Sequence, residues 1–88
     1  MLNDNLTREG FIKAFKNGEN FEGLNLSNLD LSKTNLINII LNRATLRKTD
    51  FSRSNLTGAK LNDTDLREII FFRTNLSVAD LKNADLRN

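Results

Sequence analysis

The charged residues of this chain recur at fixed spacings. Arg47, Arg67 and Arg87 stand twenty residues apart, and so do Lys33, Arg53 and Arg73. Cationic side chains held in register bind anions, phosphates among them. Each series has acids near it in sequence, however. Asp65, Glu68 and Asp85 accompany the first, to which Lys48 adds, and Asp30 and Asp50 accompany the second. Compensation of that kind predicts a solvated, ion-paired surface rather than an anion track. Catalysis has little to draw on. The chain contains no His and no Cys, which removes the commonest general base and the usual zinc ligands. Asp63 and Asp65, two residues apart, are not a recognised acid–base pair. No catalytic residue, metal or cofactor is expected.

A second group stands out by lacking charge. Residues 34–38, 54–58 and 74–78 hold no ionisable side chain. Asn35, Asn55 and Asn75 repeat there, together with Ile37, Thr57, Ser77 and Val78. Interface cores are depleted in charge, so these residues form a candidate partner surface. Ile70 and Phe72 make a small candidate apolar patch. Whether any of these residues share a surface depends on the elements that position them.

Those elements follow from a five-residue period. Every fifth residue from Phe21 to Leu86 is Leu or Phe, fourteen in succession. The residue before each of these centres is Asp or Asn in ten of the fourteen repeats. The residue two before is usually small, as at Thr34, Ala44, Thr49, Ser54, Ala59, Thr64, Thr74, Ala79 and Ala84. On an α-helix a step of five would smear the Leu row around the cylinder. On a flat strand successive centres would alternate between faces. A chain that bends by a quarter turn every five residues keeps all of them inside. Four such pieces close a coil of about twenty residues, and coils stack at roughly 4.8 Å. Asp, Asn, Ser and Thr stabilise the bends with local hydrogen bonds. Burying each Leu or Phe contributes about 1.5–3 kcal/mol.

The blocks Ala59-Lys60-Leu61-Asn62-Asp63, Ala79-Asp80-Leu81-Lys82-Asn83 and Ala84-Asp85-Leu86-Arg87-Asn88 resemble the pentapeptide-repeat consensus A(D/N)LXX. The resemblance covers residues 19–88. It implies an all-β fold, a right-handed quadrilateral parallel β-helix of about 3.5 coils; the handedness comes from the resemblance alone. Some relatives in that family mimic DNA and modulate a type II topoisomerase, DNA gyrase. A mimic of DNA should be strongly anionic, and this chain has a net charge of +2. The expected function is therefore a non-enzymatic scaffold for protein–protein interaction or self-association, with topoisomerase binding as the alternative.

The ends differ. Residues 1–18 are expected to cap the N-terminal end of the 19–88 solenoid within one structural domain. Thr7 suits an N-cap, Phe11, Ile12 and Phe15 share a face, and Gly18 suits the stop. The last coil has no such cover, and Leu76, Leu81 and Leu86 would leave apolar surface there. Either the chain continues or two copies stack, and the resemblance implies a homodimer through that end. Met1 to Gly10 is polar and mixed in charge, unlike a secretory signal. No apolar run approaches the ~20 residues that span a bilayer. A cytoplasmic protein with a protein partner is expected, with neither a nucleic acid nor a membrane as its ligand.

Overall fold

The structure, a computed structural model, describes residues 6–88. The first five residues of the expected 1–18 cap lie outside the described residues. From residue 25 to 85 every fifth residue forms a parallel bridge to the residue twenty positions away, beginning with Asn25 to Thr45 and ending with Asp65 to Asp85. Register and period therefore coincide, as a repeat β-helix requires. Each coil is tied to the next in both directions. Leu26 N donates to Thr45 O at 2.8 Å, and Thr45 N donates to Leu24 O at 2.9 Å. The molecule measures 29 × 20 × 19 Å.

The corners explain how the period is built. The residue two after each centre has positive φ, from Gly23 and Asn28 through to Asn83 and Asn88. Closing hydrogen bonds run from the residue three after a centre back to that centre, as in Ala44 N to Leu41 O at 3.0 Å. Together these are the φ signs and the bond of a type II turn. The Asp or Asn before each centre braces the same corner. Its side-chain oxygen accepts from the N–H two residues on, as in Ser27 to Asn25, Ser32 to Asp30, Thr57 to Asn55 and Lys82 to Asp80. The expected local hydrogen bonds are thus Asx-turns.

Inside, Leu26, Leu31, Leu36, Leu41, Leu46, Phe51, Leu56, Leu61 and Leu66 are buried completely or nearly so. The small position two before the centre is buried too, at Ala44, Thr49, Ser54, Ala59 and Thr64. Its hydroxyls are satisfied by backbone carbonyls. Thr49 Oγ1 donates to Leu26 O at 2.9 Å, and Thr64 Oγ1 donates to Leu61 O at 2.7 Å. Small polar residues therefore enter this narrow core without the cost of an unpaired buried group.

The N-terminal end carries one helix, α1, over Arg8–Lys16. Thr7 caps it, its hydroxyl accepting from Gly10 N at 3.0 Å. It stops in a Schellman motif: Gly18 N donates to Phe15 O, Glu19 N donates to Ala14 O, and Gly18 sits at φ 72. The buried stripe is Phe11 and Ala14, with Phe15 half-buried beside it. Ile12 is half-buried and lines the outer grooves instead. Phe11 stacks on Phe21 with ring centroids 4.6 Å apart, so the helix continues an interior column of the solenoid.

Candidate functional site

The two cation series have different surroundings. Along the first, Arg67 grips Asp65 with two bonds, Nε to Oδ1 at 2.8 Å and Nη2 to Oδ2 at 2.6 Å. Arg87 grips Asp85 in the same way, at 2.9 and 2.8 Å. Arg47 reaches Glu68 at 3.1 Å, and Arg67 Nε lies 4.0 Å from Asp85. Fork-to-fork pairing of this kind fixes both partners. The hydrogen bond from Arg87 holds the Asp85 carboxyl down at about 2, and that from Arg67 lowers Asp65. Both guanidinium groups are raised in return. This column is a compensated ladder, as its sequence predicted.

The second series departs from expectation. Asp30 and Asp50 were expected to answer Lys33, Arg53 and Arg73, and they do not form ion pairs with them. Asp30 is engaged by the Ser32 hydroxyl and by Arg8 of α1, at 2.6 and 3.4 Å. Its carboxyl is lowered mainly by Ser32, with smaller contributions from Arg8 and Lys33. Asp50 accepts from Ser52 N at 2.9 Å. The physical reason is competition: each Asx-turn turns the carboxylate toward its own corner, and Arg8 reaches the same Asp30 oxygen, Oδ1, that Ser32 engages. Arg53 and Arg73 instead lie over the Phe72 ring, 5.6 and 5.3 Å from its centroid. Phe72 is 57% exposed and Ile70 44%. Guanidinium against an aromatic face is a cation–π contact.

The uncharged face is arranged around its own turns. Asn55 accepts from Thr57 N and Oγ1, and Asn75 accepts from Ser77 N and Oγ. Asn35, Ile37, Asn75, Ser77 and Val78 are exposed, whereas Asn55 and Thr57 are half-buried. The candidate surface is thus brought together, with its middle coil recessed. At the open end Leu76 and Leu81 are half-buried and Leu86 is 51% exposed.

A family model for pentapeptide repeats matches residues 20–58 and 49–88, in eight copies. The chain belongs to the pentapeptide-repeat family. Its repeats also align with the crystal structure of a pentapeptide repeat protein (Rfr23) from the cyanobacterium Cyanothece 51142. That alignment has 29% identity and a TM-score of 0.55, and takes in 74% of this chain and 58% of the other. This chain thus matches little more than half the length of that relative. No curated protein matches it.

Within the family architecture, the described residues hold no cluster of His, Cys, Asp and Glu suited to a metal. No helix among them is long and apolar enough to cross a membrane. Sequence reasoning missed two features. One is the positive φ at every corner, hinted at by Gly23, Gly58, Asn28, Asn38 and Asn83 in that position. The other is the Arg53–Phe72–Arg73 cluster, in which Arg53 is far in sequence from the adjacent Phe72 and Arg73 until the twenty-residue register joins them.

Proposed function

We propose that this pentapeptide-repeat protein is a non-enzymatic scaffold of the cytoplasm, which offers its faces to protein partners and pairs with a second copy through the last coil. The same reading takes the winding as right-handed and four-sided. The carrying observation is the state of that coil. Interior positions that are fully buried at Leu46 and Leu66 are 51% exposed at Leu86. Earlier centres donate to the next coil, as Leu56 N does to Asn75 O at 2.7 Å and Leu61 N to Asp80 O at 2.8 Å. The described chain offers no such acceptor to Leu76, Leu81 and Leu86. A second copy would supply both apolar cover and acceptors. The filled interior supports the scaffold reading, since it leaves faces and ends as the places for contact. The acids of the first cation column are tied to arginines, so the geometry adds no support for a DNA mimic.

Light scattering after size-exclusion chromatography, run over a range of concentrations beside Leu86→Asp, tests the pairing. A dimer that the substitution converts to monomer is the expected result. A wild-type protein that stays monomeric at the highest concentration overturns it.

A further inference from the structure

The Arg53–Phe72–Arg73 cluster is the one place among the described residues where guanidinium groups without a carboxylate partner are gathered against an aromatic ring. The remaining ion pairs take up Arg8, Arg43, Arg47, Arg67 and Arg87. Lys33, Arg53 and Arg73 occupy the same corner of successive coils, with φ of 57, 60 and 56. Coil stacking therefore lines them up over roughly 10 Å, two steps of about 4.8 Å. Their backbones are held by the corner geometry, and two of the three heads rest against one ring. Beside them lie Ile70 and Phe72, the apolar residues most exposed on this face.

We infer that this corner is a docking site for an acidic, extended protein segment that also carries an apolar side chain. This goes beyond self-association through the last coil and rests on the scaffold reading. Charge complementarity carries it. Carboxylates spaced along an extended segment meet three cations in line, each forming a charge-assisted hydrogen bond that no resident acid occupies. An apolar side chain of the segment covers Phe72 and Ile70. Aromatic and Arg residues are the side chains that most often anchor such contacts. Two observations favour a protein segment over a nucleic acid. The column offers three cations, fewer than the several phosphate contacts that sustain nucleic-acid binding. Phe72 is a single ring with a guanidinium already over it, not a row of stacking platforms.

The test uses a short fluorescein-labelled peptide of aspartate and leucine, with fluorescence anisotropy as readout. Its counterparts are the same peptide with asparagine for aspartate, and a labelled thymidine strand of similar length. The protein variants are the double Arg53→Gln, Arg73→Gln, then Phe72→Ala, and Arg47→Gln in the compensated column. These residues are exposed, and circular dichroism checks that each variant keeps its fold. The acidic peptide should bind, weaken with added salt, and lose about tenfold or more in the double variant. Phe72→Ala should also weaken it, while Arg47→Gln should leave it unchanged. Equal losses from Arg47→Gln, or no loss from the double variant, would overturn the inference. Tighter binding of the thymidine strand would overturn it in favour of a nucleic acid. A change in oligomeric state on Arg53→Gln, Arg73→Gln would overturn it in favour of a second copy. Failure here leaves the Leu86→Asp result untouched, so the two readings fail separately.

Discussion

The two ends of the solenoid solve the same problem unequally. A stack of coils leaves an apolar cross-section and unpaired backbone groups at each end. At the N-terminal end, Phe11 covers Phe21, and both are at most 2% exposed. Arg8 completes the cover. Its guanidinium donates to Asp30 O at 2.7 Å and Ser32 O at 2.8 Å. Those carbonyls correspond by register to Asp50 O and Ser52 O, which accept from Leu31 N and Lys33 N of the coil before. One helix thus replaces a missing coil in both packing and hydrogen bonding. At the other end nothing among the described residues plays these parts, and exposure rises from Leu66, fully buried, to Leu86, half-exposed. The difference teaches that the interior of this fold is only as dry as its nearest cover.

The largest effect should come from removing the cover. Phe11→Ala is expected to cost about 3–5 kcal/mol, the range for deleting a buried Phe side chain. Leu86→Ala, measured at a dilution where copies do not pair, should cost less than about 1 kcal/mol. Chemical denaturation of both variants makes the comparison, and equal losses would mean that the two ends are equally closed. A smaller effect, of opposite sign at two positions, is expected along one corner column. Val78 is a β-branched residue at φ 50, 84% exposed, in the last coil. Val78→Asn should stabilise by about 1 kcal/mol, because Asn tolerates the left-handed region and branched residues do not. Gly58, one coil earlier at φ 71, has Asn38 Oδ1 in the space that a Cβ would take. Gly58→Ala should therefore destabilise by about 1 kcal/mol. Thermal melts that moved in the same direction for both would refute this account of the corner.

The smallest effect concerns acid. Asp85, in the last coil, has its carboxyl lowered from 3.8 to about 2 by hydrogen bonds from Arg87. A lowered folded-state value means that this pair stabilises the fold above the unfolded value. That contribution fades as pH falls from about 4 toward about 2. Carboxyl chemical shifts followed by NMR should show Asp85 titrating near 2. In Arg87→Gln it should titrate closer to its ordinary value. An unchanged midpoint would mean that the pairing with Arg87 does not hold in solution.

Much of this molecule is legible in its sequence for a simple reason. A bend every five residues is a local rule, and the Leu or Phe centres repeat it without a break from Phe21 to Leu86. The Asp and Asn residues before the centres announce the bends, and Asn25, Asp30 and Asn55 brace them as expected. The arginine ladder at Arg67 and Arg87 is legible as well, since each partner lies two residues away in the chain. Less legible was the helix face: Phe11 and Ala14 are its buried pair, with Phe11 stacked on Phe21, while Ile12 lies half-buried outside it.

The sequence by itself determined the coil, its register and its filled interior, because these arise from short-range backbone geometry repeated at a constant interval. The tertiary structure alone decided which charges are spent and which are free. Asp30 lies three residues from Lys33, yet Arg8, twenty-two residues away in sequence, reaches it across the end of the first coil. Arg53 and Arg73 meet at Phe72 because stacking brings one coil over the next. Ion pairing is a competition among side chains within a few ångströms, and only the folded chain sets who the competitors are.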